Sequence, residues 1–283
     1  MTQFGYIGRK MRLPSLKDRP AIVIAAFGTS TRAGAVSEIF RRRIEEAFPD
    51  HEIFHAWTSE IIRKKMNLPG LHETLARVEA SGFRKAVVQP LHIFPGTEYT
   101  QLVETCTGFP GLRVIVGETL LHRWEFVREM LKVIEQEFLP EYEGINILAL
   151  HGTPLAADPV NAVYLGFEHL VNGLYPNVYA ASVEGIPDAG AVFSKIRRDV
   201  TGRSLGRARI VPVMYVAGLH AEEDLMGDDD SWRMVLEAMG FDVDMPVVRH
   251  DGQEFYKGLA WYPEITDSFV QRVSRSLELM EYF

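Results

Sequence analysis

Short apolar segments rich in valine and isoleucine alternate along the chain with longer amphipathic segments. The apolar segments are continuous rather than interrupted by polar residues, which is typical of strands covered on both faces of a parallel sheet. The predicted strands are Ala21–Phe27, His51–Ala56, Ala86–Ile93, Leu112–Val116, Ile145–Leu150, Val178–Ser182, Arg209–Val216 and Val243–Val247.

The amphipathic segments predict helices, because their apolar residues recur at the spacing of one helix face. Strands that alternate with helices favour an α/β fold in which helices cover both sides of parallel sheets. The predicted helices are Ala35–Phe48, Leu71–Ser81, Trp124–Phe138, Ala162–Leu174, Gly190–Val200, Ser231–Met239 and Glu264–Phe283.

The chain also contains an internal repeat. The segment Ile22–Ser30 is similar to Asn146–Pro154, and Ala86–Glu98 is similar to Ala208–His220 at nearly the same spacing. Two chance similarities would not share a register, so the repeat predicts two similar, doubly wound lobes that face each other across a cleft.

The boundary between the lobes is predicted at Pro140–Gly144, an acidic segment with proline and glycine that follows a helix. This boundary gives an N-terminal lobe over residues 1–143 and a C-terminal lobe over residues 144–283. The last helix, Glu264–Phe283, is compatible with packing on either lobe.

The two copies of the repeat differ where chemistry is expected. Phe27 in the first copy corresponds to His151 in the second, and Glu98 corresponds to His220. Ligands of open α/β sheets bind beyond the carboxyl ends of the strands. We place Phe27 and His151 at the ends of first strands and Glu98 and His220 in the loops after third strands, so all four should face the cleft.

A third polar residue, Glu184, follows another strand of the second lobe. Two imidazoles and one carboxylate would form an open set of three ligands suited to a divalent transition metal, and an imidazole also accepts protons near neutral pH. The structural alternatives are a loop-bonded His151, a Glu184 that caps a helix, and an exposed His220.

A strongly acidic segment follows His220. One interpretation is a solvated loop whose last acid caps the helix that begins near Ser231. The other is a funnel that concentrates a divalent cation beside His220. The acidic residues are Glu222, Glu223, Asp224, Asp228, Asp229 and Asp230.

The amino-acid composition narrows the range of functions that this protein can have. The 283 residues are 47% hydrophobic and 24% charged, which is typical of a folded globular protein. A net charge of −8 without a basic stripe argues against nucleic acid as a partner, and no apolar run is long enough to span a membrane. Cys106 is the only cysteine, and no glycine-rich nucleotide motif is present, so we expect a cytoplasmic protein with no nucleotide cofactor.

Motifs over most of the chain resemble the sirohydrochlorin cobaltochelatases of the class II chelatase superfamily. The most specific stretch combines a histidine, an acidic loop and a tryptophan in Val216–His220 and Asp228–Trp232. The other matching segments are Ala26–Ser30, Phe54–Ser59, Ile62–Lys64, Leu91–Ile93, Gly96, Glu98–Tyr99, His151–Gly152 and Val183–Glu184.

This resemblance implies two lobes around a tetrapyrrole cleft and insertion of a divalent metal into sirohydrochlorin during the biosynthesis of cobalamin or a related tetrapyrrole. Co²⁺ is the expected metal substrate, with Fe²⁺ and Ni²⁺ also used within the family. The resemblance assigns His151, Glu184 and His220 as the metal-handling residues.

Within this mechanism we expect His151 to be the principal base as well as a metal ligand, with Glu184 as the second catalytic residue. Phe27, Arg32 and Glu98 are the candidate substrate-binding residues, and Arg32 would bind a carboxylate of the macrocycle.

A non-catalytic carrier of a tetrapyrrole, haem or metal is the alternative from another class. His92, which lies near the end of the predicted strand Ala86–Ile93 and is otherwise expected to pack in the core, would then be a candidate axial ligand of haem. The sequence leaves open both this alternative and assembly into a homo-oligomer.

Overall fold

The computed structural model describes residues 15–201 and 206–282, so the first fourteen residues of the predicted N-terminal lobe and Phe283 lie outside the described residues. Two four-stranded parallel sheets form the framework of the molecule. The strands of the first sheet are β1 (Ala21–Ala26), β2 (Ile53–Trp57), β3 (Lys85–Pro90) and β4 (Arg113–Val116), and those of the second are β5 (Gly144–Gly152), β6 (Val178–Glu184), β7 (Arg207–Pro212) and β8 (Asp242–Asp244).

The two sheets have the same topology. The strand order is β2-β1-β3-β4 in the first sheet and β6-β5-β7-β8 in the second. Each lobe therefore places its first strand between the second and the third, as the sequence repeat requires. The prediction of two similar, doubly wound α/β lobes is confirmed, while the exact boundary between residues 143 and 144 stays a prediction.

Helices lie between the strands, and the predicted ones differ from the observed ones mainly at their ends. Two helices, α2 and α4, lack a counterpart among the predictions. The helices are α1 (Val36–Ala47), α2 (Glu60–Met66), α3 (Leu71–Ala80), α4 (Thr97–Thr107), α5 (Trp124–Ile134), α6 (Asn161–Leu174), α7 (Ala189–Asp199), α8 (Trp232–Ala238) and α9 (Pro263–Glu281).

The placement of Glu98 in a loop was wrong, because this residue lies in the first turn of α4. Helix α4 buries only Leu102 and Cys106, which are four residues apart. Two buried positions give too little periodicity to distinguish this short helix from a loop. Burial raises the pKa of the Cys106 thiol to about 12, as expected for a thiol packed in the apolar core.

The last predicted strand, Val243–Val247, is split in the structure. Strand β8 ends at Asp244, and Val247 begins a separate antiparallel hairpin of β9 (Val247–His250) and β10 (Gln253–Tyr256). Pro246 lies between them and has no backbone N–H to continue a ladder.

Helix α9 packs on β3 and β4 of the first sheet, although it follows the second lobe in sequence. Arg272 of this helix is buried, donates a hydrogen bond of 3.0 Å to the Leu120 carbonyl, and stacks 4.2 Å from the Phe126 ring. The largest apolar cluster joins residues of both lobes, for example Phe94 and Tyr164, whose ring centroids are 4.5 Å apart. None of the helices in the described part of the chain is both long and apolar enough to cross a bilayer.

Candidate active site

The carboxyl ends of β5 and β6 carry two of the predicted site residues. His151 is the penultimate residue of β5, and Glu184 is the last residue of β6. Gly152 pairs with Glu184 in the parallel register, so the carboxyl ends of β5 and β6 lie side by side in the sheet. The central position of β5 thus places His151 between the two neighbouring strand ends.

His151 lies beside His220, with their ring centroids 4.7 Å apart and their planes nearly perpendicular. The Nδ1 atom of His151 is 3.1 Å from the Gly152 carbonyl oxygen. Because a carbonyl oxygen can only accept, Nδ1 carries the proton in the neutral ring and Nε2 keeps its lone pair. The unprotonated Nε2 is the atom that can bind a metal ion or accept a proton.

His220 is held in the same tautomer by a different partner. Its Nδ1 donates to the Asp224 Oδ2 atom at 2.7 Å. The two residues belong to a helical turn that widens to π-helical geometry over Ala221–Leu225. Such wide turns are frequent at functional sites. The carboxylate orients the ring and leaves Nε2 of His220 available to a metal ion, in the arrangement that commonly supports metal-binding histidines.

The first lobe contributes the opposite wall of this site. The Phe27 ring contacts His151 edge-on, with 6.4 Å between their centroids. In the same loop, Thr29 Oγ1 lies 3.0 Å from the position that a Cβ on Gly218 would occupy. The loop after β1 therefore packs against the segment that carries His220, and the site lies where the two lobes meet.

Among residues 15–201 and 206–282, no three His, Cys, Asp or Glu side chains form a group that could hold a metal ion as positioned. The structure brings His151 and His220 together, and it places Glu184 at the neighbouring strand end through backbone register. The membership of Glu184 in one ligand set with the two histidines stays a prediction.

The three predicted substrate-binding residues lie in different parts of the structure. Phe27 is 44% exposed, which leaves much of its ring free to contact a ligand. Arg32 is exposed, and its guanidinium lies 5.8 Å from the centroid of the Phe255 ring in the second lobe. Glu98 is exposed at the start of α4 and lines a separate pocket beside the end of β2. Their roles stay predictions.

His92 is a partly buried residue of the first lobe. Its Nε2 lies 3.2 Å from Thr58 Oγ1, and its Nδ1 is buried without a hydrogen-bond partner in the described structure. Burial lowers the pKa of His92 from 6.5 to about 4. The ring is therefore neutral at pH 7, and its proposed role as an axial haem ligand stays a prediction.

Burial of His92 predicts a pH dependence of folding. The unfolded chain binds a proton near pH 6.5 that the folded chain binds only near pH 4, so the free energy of unfolding should fall as pH decreases through this window. The full loss from this group would be about 3 kcal/mol. Urea unfolding at several pH values should give a smaller loss for His92→Gln than for the unsubstituted chain. Equal losses would show that another group causes the effect.

The sequence predicted that Asp230, the last acid of this segment, caps helix α8, and this prediction was wrong. Ser231 rather than Asp230 caps α8, because its side chain accepts a hydrogen bond from the backbone N–H of Met234. Asp228 pairs with Arg233 at 2.6 Å, and Asp224 orients His220. The proposal that the remaining acids concentrate cations stays a prediction.

The sequence analysis did not identify an individual role for Asp224, which orients His220 in the structure. It follows His220 by four residues, the spacing at which two side chains share a helix face. This spacing was a usable signal, but the segment was interpreted only as a collective charge. Thr29, which contacts the opposite lobe, offers no signal of this kind.

Comparison with known proteins agrees with this architecture. The family model described as "Cobalt chelatase (CbiK)" matches residues 20–278. The chain is 26% identical over 275 residues to the sirohydrochlorin cobaltochelatase of Salmonella typhimurium, with 92% of this chain and 97% of that protein covered. It is also 26% identical over 276 residues to the sirohydrochlorin cobaltochelatase CbiKC of Nitratidesulfovibrio vulgaris, covering 91% and 92% of the two chains.

Solved structures give the same fold. The structure titled "SirB from Bacillus subtilis with Fe3+" matches with a TM-score of 0.61 at 15% identity, covering 93% of this chain and 97% of that one. CbiX, titled as the terminal enzyme for siroheme biosynthesis in denitrifying bacteria, matches with a TM-score of 0.50 at 17% identity over 91% and 99% of the chains. Because the family model extends over nearly the whole chain, this protein belongs to the cobalt chelatase (CbiK) family.

Proposed function

We propose that this chelatase inserts Co²⁺ into sirohydrochlorin at the junction of the two lobes, using His151 and His220 with Glu184. The observation that carries the proposal is the pair of adjacent imidazoles, each with Nδ1 bonded and Nε2 available. The two relatives named above are sirohydrochlorin cobaltochelatases, which supports the same macrocycle as substrate.

Metal insertion requires that the macrocycle lose two protons as the divalent ion enters. The lone pair on His151 Nε2 is suited to accept one of them, because a neutral imidazole nitrogen is the general base that enzymes use most often. Glu184, at the adjacent strand end, is proposed as the second acceptor and as a metal ligand. Both groups are partly exposed, so protons can pass from them to water.

The metal is a substrate and must leave the protein for the macrocycle. Two imidazoles with one nearby carboxylate leave coordination positions vacant, whereas a structural site with four protein ligands is closed. The macrocycle nitrogens can then replace the protein ligands one at a time. The exposed face of Phe27, opposite His151, is placed to contact the macrocycle plane.

Asp224 acts in this scheme as a positioning residue, which can be tested through metal binding alone. Removal of such a partner typically weakens metal affinity ten- to hundred-fold. We expect Asp224→Ala to raise the Kd for Co²⁺ by roughly this factor, and Asp224→Asn to have a smaller effect because its amide oxygen still accepts from Nδ1. Absorption titration with Co²⁺ measures both values.

Asp229→Ala is the matched control, because Asp229 is an exposed acid of the same segment. Its substitution should change the Kd for Co²⁺ less than twofold. An equal loss in the Asp224 and Asp229 variants would assign the effect to the collective charge of the segment instead.

The proposed activity is tested by mixing the protein anaerobically with sirohydrochlorin and Co²⁺, Fe²⁺ or Ni²⁺ and following the macrocycle absorption. We expect conversion well above the uncatalysed rate, and fastest with Co²⁺. A rate with Co²⁺ that does not exceed background would contradict the proposal. The cytoplasmic location and the assembly into a homo-oligomer stay predictions of the sequence.

A further inference from the structure

A separate polar pocket lies in the first lobe. It has a volume of about 520 Å³ and lies between the end of β2, helix α2 and helix α4. Its lining combines an apolar part, Leu68, Leu71 and Leu102, with several amides and hydroxyls, a histidine and both acidic and basic side chains. The charged residues are Glu60, Arg63, Lys64 and Glu98.

The pocket is connected to the centre through the backbone of β2. Trp57 and Thr58 line the pocket, and the Thr58 N–H donates to the Ala26 carbonyl at 2.9 Å. Trp57 also packs against Gly28, where its Cδ1 lies 2.8 Å from the position of an added Cβ. Gly28 follows Phe27, the residue that contacts His151. The pocket therefore adjoins, through Trp57, the loop that carries Phe27.

Arg63 is the unusual residue of this pocket. Helix α2 carries three consecutive cations, of which Lys64 pairs with Glu60 at 2.6 Å and Lys65 donates to Ser30 at 3.0 Å. Arg63 has neither an ion pair nor a side-chain hydrogen bond to any described residue, and its Nε is buried without a partner. Leaving a buried donor unpaired is unfavourable, so the site is complementary to a bound acceptor.

Gly70 fixes the position of the Arg63 guanidinium. A Cβ on Gly70 would lie 2.4 Å from Cζ and 2.6 Å from Nη2 of Arg63, so the planar group rests directly against the glycine. A guanidinium held in one plane presents its donors in the fork geometry that matches a carboxylate. Glu98 also lines the pocket, but it forms no ion pair with Arg63.

We propose that this pocket, with Arg63 as its anchor, binds one peripheral carboxylate of the tetrapyrrole substrate. This inference rests on the proposed function, because it assigns a subsite to the same macrocycle. The leucines would contact the methylene carbons of the substituent, and the Arg63 fork would bind its carboxylate. The anchor would fix the rotation of the macrocycle relative to the metal-handling histidines.

The test measures macrocycle binding without any metal, by absorption titration with sirohydrochlorin. Arg63→Gln should raise the Kd roughly ten- to hundred-fold, as expected for loss of a charge-assisted pair. Arg63→Lys should give an intermediate Kd, since it keeps the charge and loses the fork. Arg77→Gln, the same change at an exposed arginine of α3, should leave the Kd unchanged.

Gly70→Ala provides a second variant that keeps the arginine. Gly70 has φ −81° and ψ 171°, which alanine adopts freely, so the added methyl group should displace the guanidinium without unfolding the chain. Its Kd should rise in the same direction as that of Arg63→Gln, and the double variant should lose no more than Arg63→Gln alone.

The methyl ester of the macrocycle distinguishes carboxylate binding from general packing. The ester should bind equally to the unsubstituted chain and to Arg63→Gln. A Kd for sirohydrochlorin that changes less than twofold in Arg63→Gln, or an equal loss with the ester, would overturn the proposal. Because no metal is present, failure of metal insertion would be seen separately from failure of this subsite.

Discussion

Replacement of His151 by alanine should lower kcat for metal insertion at least about a hundred-fold, the usual contribution of a positioned general base. The variant loses the Nε2 lone pair of a ring whose centroid lies 4.7 Å from that of His220. Binding of metal-free sirohydrochlorin should persist, because the macrocycle contacts proposed for Phe27 and Arg63 remain. Stopped-flow absorption under anaerobic conditions measures kcat, and titration without metal measures the Kd of the macrocycle.

His169→Ala is the matched control for this prediction, since His169 is exposed on α6. Its kcat should equal that of the unsubstituted chain. Turnover that is unchanged in His151→Ala would remove this residue from the mechanism. Loss of macrocycle binding in parallel with kcat would assign His151 a role in substrate binding instead of proton transfer.

Gly152→Ala should reduce the free energy of unfolding by at least about 3 kcal/mol. Gly152 has φ +79°, and an added Cβ would lie 1.7 Å from the Glu184 carbonyl oxygen. The strain of the left-handed backbone and the overlap with backbone atoms therefore act together. Since β5 and β6 must separate to relieve the overlap, the active site should also be distorted.

Gly173→Ala is the control for replacing glycine by alanine at a position without steric overlap. Gly173 is an exposed residue of α6, and a Cβ there would meet no atom within 4 Å. Alanine is favoured over glycine in helices, so this variant should gain about 0.5 kcal/mol. Urea unfolding of both variants tests the contrast. A loss below about 1 kcal/mol for Gly152→Ala would contradict the tight register proposed at the end of β5.

The sheet framework was predictable from the sequence because its strands are continuous apolar runs. Strand β1, for example, is buried over its first five residues, which leaves no polar interruption to obscure the pattern. The repeat then placed Phe27 and His151 at equivalent strand ends. Helix α2 was missed because it has no buried residue, so apolar periodicity cannot reveal it.

The composition of the site was predictable only in part. The repeat singled out His151 and His220, but their closeness depends on the packing of a wide helical turn beyond β7. The Asp224 contact was implicit in a four-residue spacing. Arg63 lies in a segment that resembles the family, Ile62–Lys64, but the sequence analysis assigned it no role, because its significance arises from the absence of a partner within a pocket formed by three separate elements.

The central claim is that His151 and His220 together hold the metal substrate. A crystal structure of the protein with Co²⁺, using anomalous scattering at the cobalt edge, tests this claim most directly. The predicted result is a cobalt ion roughly 2.0–2.2 Å from Nε2 of both histidines, the usual range for metal–imidazole bonds. Cobalt bound only at His92 or in the acidic segment Asp228–Asp230, with both Nε2 atoms free, would contradict it.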